Sequence, residues 1–257
     1  MVKKIVGTGV LLVLALALQA GVKMYTLKSP DGKVKLEVTA GQGIAYSLFY
    51  DGRLLLKPSR IALHTDLPEA DHWENIRITG TKQRHVSETV QAPFYRVKEF
   101  GIDCNELELR LNNGFSLLMR AYNDGMAYRF VAGRKGEMTV VEERAEFNFA
   151  DDFEAYIPYS TNPKDPWNMA FQNFYTKAPL TQYNTELPAF LPLTVDAGAV
   201  KLTLLESDLE AYPGMFVCGD GKTPALKGVF AAYPQETFKN KWRCQETVKT
   251  RRPYIAR

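Results

Sequence analysis

Residues 115–130, with the sequence FSLLMRAYNDGMAYRF, constrain the fold of this chain more than any other stretch. Apolar and polar side chains alternate up to Tyr122 and again from Met126 to Phe130, which is the period of a half-buried β-strand. Residues 123–125 between the two runs are Asn, Asp and Gly, which tolerate the positive φ angles of tight turns. The pattern therefore predicts a β-hairpin that places an amide and a carboxylate together at one end of a sheet.

Other short alternating runs occur along the chain, and Gly, Asn or Asp turns separate them. No amphipathic run long enough for a helix of ten residues occurs beyond the N-terminal segment, so the pattern predicts an all-β fold with an antiparallel two-sheet sandwich. Residues 94–100 are expected to form a strand, and residues 138–149 a pair of strands. Pro58 has no N–H group for a ladder, which predicts a sheet edge or a β-bulge at that position.

The first 20 residues have the pattern of a secretory signal peptide. Lys3 and Lys4 precede an apolar run at residues 10–18, and Ala20 offers a small residue at the expected cleavage site. The apolar run is shorter than the roughly 20 residues that span a bilayer. We therefore expect an exported protein, periplasmic or secreted, with no membrane anchor after cleavage.

The composition excludes some classes of partner and site. A net charge of +3 gives no indication of nucleic acid or of an anionic membrane surface as a partner. Cys104, Cys218 and Cys244 are too few for a disulfide scaffold, and the sequence does not say which pair, if any, is bridged. The histidines have no metal-site spacing, and phosphate-loop, zinc-peptidase and serine-hydrolase motifs are absent.

Residues 151–192 differ from the rest because they are rich in proline and aromatic residues. Long irregular segments inside compact domains are usually functional or disordered, and disordered segments are poor in aromatic residues. We therefore expect an ordered loop that covers a surface. The carboxylates Glu142 and Glu146 share one face of a predicted strand, and two such carboxylates could act as the acid pair of a glycosidase. Exposed glutamates on a strand are, however, commonly only solvated.

Six stretches of the chain together resemble a known family. They are residues 29–33 (SPDGK), 56–63 (LKPSRIAL), 104–107 (CNEL), 120–130 (RAYNDGMAYRF), 171–180 (FQNFYTKAPL) and 206–215 (ESDLEAYPGM). In this order and spacing they resemble the N-terminal domain of glycoside hydrolase family 97.

The resemblance implies an exported, calcium-dependent enzyme that cleaves α-linked glucosides or α-galactosides. It implies an N-terminal β-super-sandwich of the galactose-mutarotase type, followed by a (β/α)8 barrel that carries the catalytic carboxylates. Three parts are expected: a signal peptide at residues 1–20, the sandwich at 21–250, and at 251–257 the start of a linker to a barrel that this chain lacks. The chain alone is accordingly expected to be inactive, with no catalytic residue of its own.

The resemblance also suggests site residues. An oxygen ligand for calcium is expected from Asn123 in the hairpin or from Gln172 in the aromatic loop, with Glu186 on the same loop as a third candidate. Gln172 stands where some relatives carry Glu, which would make it a neutral and weaker ligand. Trp167 is the candidate for stacking on a sugar.

Three function classes remain open at this point. The first is a domain that packs on its own catalytic barrel and completes a site for an α-linked oligosaccharide. The second is a stand-alone carbohydrate-binding or interaction module without activity, and the third is a degenerate remnant without function. Specificity for glucosides or galactosides, and inversion or retention, depend on the barrel and are left open by the sequence.

Overall fold

The structure is a computed structural model that describes residues 22–167, 173–207, 209, 212–239, 246–251 and 255. The predicted signal peptide, Gln172, Cys244 and most of residues 251–257 lie outside the described residues. Within these described ranges, one short 3-10 helix, Leu180–Gln182, occurs among strands. In chain order the strands are β1 Lys23–Lys28, β2 Val34–Gly41, β3 Gly43–Tyr50, β4 Arg53–Thr65, β5 Ile78–Gln91, β6 Glu99–Leu111, β7 Phe115–Tyr122, β8 Gly125–Ala132, β9 Val140–Asn148, β10 Glu154–Ile157, β11 Thr176–Pro179, β12 Leu193–Ala197, β13 Val200–Leu204, β14 Met215–Gly219, β15 Ala225–Phe230, β16 Pro234–Lys239 and β17 Glu246–Arg251.

The strands form three main antiparallel sheets. The large sheet has the order β1-β2-β3-β4-β9-β15-β14, the meander sheet the order β5-β6-β7-β8, and the small sheet the order β11-β10-β12-β13. Strands β16 and β17 pair separately. The prediction of an all-β fold with antiparallel sheets is therefore confirmed.

One hydrophobic core joins the three sheets. Strands β2 and β3 of the large sheet bury alternate apolar residues, and the inner face of the meander sheet covers them. The small sheet adds Ala155, Ile157 and Val195, each fully buried, to the same cluster. The alternation of buried and half-buried positions in β2 and β7 follows from the two-residue period of a strand, so one face of each of these strands is dry.

The hairpin predicted at residues 115–130 is confirmed as β7 and β8, with Tyr122 paired to Gly125. Its physical basis differs from the expectation, because none of residues 123–125 adopts a positive φ. The left-handed conformation is used instead in the turn between β3 and β4, where Asp51 and Gly52 have φ values of 48° and 78°.

Pro58 lies at a β-bulge, which confirms one of the two expectations for it. The register between β3 and β4 shifts between Tyr46 opposite Ser59 and Leu48 opposite Leu56, so β4 carries extra residues around Pro58. The strand is nevertheless central, between β3 and β9. A bulge leaves one residue outside the ladder, and this allows a proline in the interior of a sheet.

Two predictions of local structure are wrong. Residues 138–149 contain one strand, β9, because its partners β4 and β15 come from distant parts of the chain. Residues 92–98 form a turn, in which the N–H of Ala92 donates to the carbonyl of Lys98.

In the part of the chain that the structure describes, no helical segment has the length and hydropathy that crossing a bilayer requires.

Candidate functional site

Four strand ends of the small sheet meet at one place, which we call the loop end. Strands β10 and β13 finish there, and β11 and β12 begin there, because the sheet is antiparallel. Three large apolar side chains project from the loop end into solvent: Phe174 is 94% exposed, Leu205 is 66% exposed and Tyr175 is 48% exposed. Soluble domains rarely leave such a group uncovered.

Trp167 belongs to the same region. Its ring meets Phe216 of β14 edge to face, with centroids 4.9 Å apart and an interplanar angle of 88°. Trp167 is thereby half-buried against the edge strand of the large sheet. Asn173 anchors the returning chain, since its Nδ2 donates to the carbonyl of Tyr159 at 3.1 Å. Phe216 therefore positions the Trp167 side chain, and the predicted contact of Trp167 with sugar stays a prediction.

Two carboxyl groups lie close to this region. The hydroxyl of Tyr212 donates to Oε2 of Glu143 at 2.7 Å, and the backbone N–H of Met215 donates to Oε2 of Glu206 at 2.7 Å. Burial raises the pKa of both carboxyl groups, and the charge of Glu206 raises that of Glu143 further. Tyr212 also packs edge-on against Phe230, with ring centroids 5.8 Å apart. These carboxyl groups retain a proton at higher pH than exposed glutamates do.

Sequence reasoning missed Glu143 and Tyr212 and selected Glu142 and Glu146 in the same strand. Glu142 is exposed, and Oε2 of Glu146 accepts the N–H of Arg60 at 3.1 Å, so neither faces the core. The sequence pattern nevertheless indicates that Glu143 faces inward. It lies two residues before Ala145, which begins the buried alternation of Ala145, Phe147 and Phe149. A glutamate in register with a buried face is the unusual position in this strand.

Asn123 lies near the β1 edge of the large sheet, whereas Trp167 packs on its β14 edge. Oδ1 of Asn123 accepts the N–H of Asp31 at 3.0 Å, which ties the β7–β8 turn to the β1–β2 turn. Strands β1 and β14 are the two edges of the large sheet. Six strand spacings of about 4.8 Å separate them, or about 29 Å along the sheet. The structure therefore does not bring Asn123 together with Trp167.

Glu186 is exposed, and its own N–H donates to Oδ1 of Asn184 at 3.1 Å. The adjacent Thr185 lies beside Gly221, in the turn that follows β14. Gln172, the other predicted ligand, lies outside the described residues. Among the residues with described positions, no group of three or more His, Cys, Asp or Glu side chains is arranged to hold a metal ion. The calcium-ligand roles of Asn123, Gln172 and Glu186 stay predictions.

The described cysteines are both free thiols. Cys104 is buried in β6, and Cys218 is half-buried in β14, where burial raises the pKa of its thiol. Cys104 pairs across the strands with Val86 and with Tyr122. No bridge between Cys104 and Cys218 is present.

Comparison with known proteins places this geometry in a family. The sequence profile described as Glycosyl-hydrolase 97 N-terminal matches residues 27–252. A retaining alpha-galactosidase from Bacteroides thetaiotaomicron is 38% identical over 250 residues, which is 94% of this chain and 37% of that protein. A probable retaining alpha-galactosidase from Streptomyces bingchenggensis is 26% identical over 158 residues, which is 60% of this chain and 24% of that protein.

Solved structures have the same fold. A Glycoside Hydrolase Family 97 enzyme from Pseudoalteromonas sp. strain K8, in complex with acarbose, has a TM-score of 0.66 at 18% identity over 80% of this chain and 31% of that chain. A crystal structure of beta-arabinopyranosidase has a TM-score of 0.69 at 20% identity, over 80% of this chain and 35% of that chain. Nearly all of this chain matches the Bacteroides thetaiotaomicron relative, but the match covers only about a third of the length of that relative. The chain belongs to the glycosyl-hydrolase 97 N-terminal family.

Proposed function

We propose that this chain is the N-terminal domain of an exported α-galactoside hydrolase and packs against the catalytic (β/α)8 barrel of that enzyme. The observation that carries the proposal is the 38% identity to a retaining alpha-galactosidase over 94% of this chain. Because the match covers 37% of that relative, the catalytic carboxylates are assigned to the part of the enzyme beyond the match. α-Glucosides are the second substrate class, as expected from the family resemblance.

The loop end supplies the docking surface in this proposal. Phe174, Tyr175 and Leu205 expose apolar surface in one place, next to the half-buried Trp167. At about 25 cal/mol per Å² of apolar surface, covering one large side chain contributes roughly 1.5–3 kcal/mol. A docked barrel would remove these side chains from water and place Trp167 at the border of its active site, where an α-linked oligosaccharide binds.

The proposal includes a calcium ion, whose binding site the barrel would complete. In this proposal the chain contributes one oxygen ligand, and the barrel supplies the others. Glu186 and Gln172 are the candidates on the loop side, and Asn123 fits poorly because its oxygen already accepts the Asp31 N–H. The Lewis acidity of a bound calcium would stabilise negative charge near the substrate, and the chain's own role is to position one ligand.

Export is proposed from residues 1–20, whose charged start and apolar run have the pattern of a signal peptide. Expression of the entire sequence in a bacterium, followed by mass spectrometry of the N-terminus, tests this point. Cleavage after Ala20 is expected, and an intact N-terminus in the cytoplasm would contradict export.

The central experiment compares the chain alone with the chain joined to the barrel of the Bacteroides thetaiotaomicron relative. We expect no hydrolysis of an aryl α-galactoside by the chain alone, and hydrolysis by the joined protein in the presence of calcium. The double variant Phe174→Ser/Tyr175→Ser should weaken activity in the joined protein, whereas Glu142→Gln, on an exposed strand face, should not. Turnover by the isolated chain would contradict the proposed division between the domains.

A stand-alone carbohydrate-binding module is the second candidate, and the exposed Phe174 and Tyr175 are the observation that favours it. Titration calorimetry of the chain with galactose- and maltose-type oligosaccharides separates the two. Saturable heat that is lost in Trp167→Ala supports the module, and no heat supports the docking domain.

A further inference from the structure

Strands β5 and β6 continue past the end of β7 and project as a two-stranded arm. The pairing of β6 with β7 ends where Cys104 lies opposite Tyr122, whereas β5 and β6 stay paired as far as Gln91 opposite Glu99. The turn at the tip exposes Phe94 completely, at 102%, and Tyr95 at 68%. The arm thus holds two aromatic side chains in water, away from the core.

Basic side chains accompany these aromatic residues. Arg96 and Lys98 lie in the same turn, and both are exposed. The tip is the narrow turn of a two-stranded arm, so it fits a concave receiving surface with an acidic border. A flat protein surface would cover little of it.

The outer edge of β5 has no partner strand in the part of the chain that the structure describes. The strand is 14 residues long, contains no proline and is exposed along most of its length. Such an edge presents a row of backbone N–H and C=O groups that can pair with another strand. Its charges are self-complementary, because Arg84 and Glu88 lie two residues to either side of Val86.

We propose that a second copy of this chain pairs with the β5 edge in an antiparallel register centred on Val86. In this register Glu88 faces Arg84 of the second copy, and two-fold symmetry repeats the contact. The two meander sheets then become one continuous sheet, in a closed dimer that leaves neither β5 edge open. This dimer does not depend on the proposed enzymatic role.

The same register places each arm tip beside a cleft in the other copy. Gln91, the last residue of β5, and Thr81 are each five residues from Val86, which corresponds to about 17 Å at 3.3 Å per residue. Antiparallel pairing therefore sets Gln91 of one copy opposite Thr81 of the other, and the turn that holds Phe94 extends beyond it toward Ile78. The cleft, of about 1030 Å³, begins at this level, where Ile76 and Arg77 precede the strand.

The chemistry of the cleft complements the tip. Its lining includes the exposed carboxylates of Glu74 and of Asp71, which is paired with Nδ1 of His64 at 2.7 Å, whereas Trp73 and Ile76 border the cleft from within the core. Arg96 and Lys98 would meet these carboxylates, and Phe94 and Tyr95 would lie across the rim of the cleft. A second copy is therefore favoured over an unrelated partner, because one register pairs the charges of the two edges and brings the basic tip to the acidic border of the cleft.

Sedimentation equilibrium of the 257-residue chain tests the proposal, and a dimer is expected. Glu88→Lys sets like charges opposite Arg84, and Phe94→Ser/Tyr95→Ser removes the tip aromatics; each should raise the dimer dissociation constant by about tenfold or more. The matched controls are Glu142→Lys and Phe174→Ser/Tyr175→Ser, which make the same changes elsewhere on the surface and should leave the constant unchanged. Thermal melting shows whether every variant is folded.

Zero-length carbodiimide crosslinking tests the register. Lys98 and Glu74 lie at opposite ends of β5, more than about 40 Å apart within one chain, so a Lys98–Glu74 crosslink identified by mass spectrometry joins two copies. This crosslink is expected in the wild-type dimer and should be lost in Phe94→Ser/Tyr95→Ser. A monomer at all concentrations, a dimer insensitive to both test variants, or a dimer without this crosslink would each overturn the proposal.

Discussion

Replacing Tyr212 by phenylalanine removes one hydroxyl group and leaves the ring in place against Phe230. The lost interaction is the 2.7 Å hydrogen bond to Oε2 of Glu143. A hydrogen bond to a charged group contributes about 1.5–3 kcal/mol net, and one between neutral groups about 0.5–1.5 kcal/mol. The cost of Tyr212→Phe therefore depends on whether Glu143 is ionised.

The sign of the pH dependence follows from the raised pKa of Glu143. Burial favours the neutral carboxyl in the folded chain, so Glu143 is protonated at pH 4 and loses its proton only above the usual range for glutamate. The raised pKa supports stability at low pH, and this support is lost as the pH rises through the folded-state value. Above that value Tyr212 donates to a carboxylate, so we expect Tyr212→Phe to cost about 2 kcal/mol at pH 8 and about 1 kcal/mol at pH 4.

Urea unfolding at the two pH values, followed by tryptophan fluorescence, measures both costs. At pH 8 the loss corresponds to a decrease in Tm of roughly 4–8 °C for a domain of this size. Glu143→Gln keeps an acceptor for the Tyr212 hydroxyl and removes the titration, so Tyr212→Phe in that background should cost the same at both pH values. Equal costs at pH 4 and pH 8 in the wild-type background, or a cost below about 0.5 kcal/mol at pH 8, would refute the reasoning.

Three further predictions concern other parts of the structure. Glu106 is buried and accepts hydrogen bonds from Nε of Arg84 at 2.7 Å and Nε of Arg120 at 2.8 Å, and these bonds lower its pKa. Glu106→Ala should therefore lower the free energy of unfolding by about 2–3 kcal/mol at pH 7 and by less below pH 4. The control Glu108→Ala should cost less than about 1 kcal/mol in the same denaturation assay. Asn123→Ala should cost about 0.5–1 kcal/mol, seen as a small decrease in Tm, because it leaves the Asp31 N–H to water. Millimolar calcium should not change the Tm of the chain alone, and an increase of several degrees would reveal a cation site within it.

Local patterns predicted most of the strands because one face of each sheet is dry. The alternation in residues 34–39 and 115–122 reports burial directly, and the observed burial follows it. The same reasoning failed for residues 138–149, where β9 has its partners in β4 and β15. Pairing with distant segments leaves no local trace, so the number of strands in such a stretch cannot be read from its own pattern.

The candidate site was harder to predict than the fold. Trp167 was selected for its aromatic ring, but its contact with Phe216 depends on how a long loop meets an edge strand. Glu143 and Tyr212 are 69 residues apart in the chain, and the sequence around either residue does not predict their contact. Asn123 was selected through the family resemblance, and the structure adds the Asp31 contact, which a hairpin pattern does not contain.

The order of the strands also sets the order in which the fold can assemble. Strands β5 to β8 form a meander in which every neighbour is adjacent in sequence, so only short loops need to close. The pairing of Ile61 with Ala145 must bring together segments on either side of that whole meander. Each increase in loop length adds to the entropy that must be lost before such a contact forms, so the centre of the large sheet is the slow step of folding. An early intermediate would protect the amides of β6 and β7 from hydrogen exchange before those of β4 and β9.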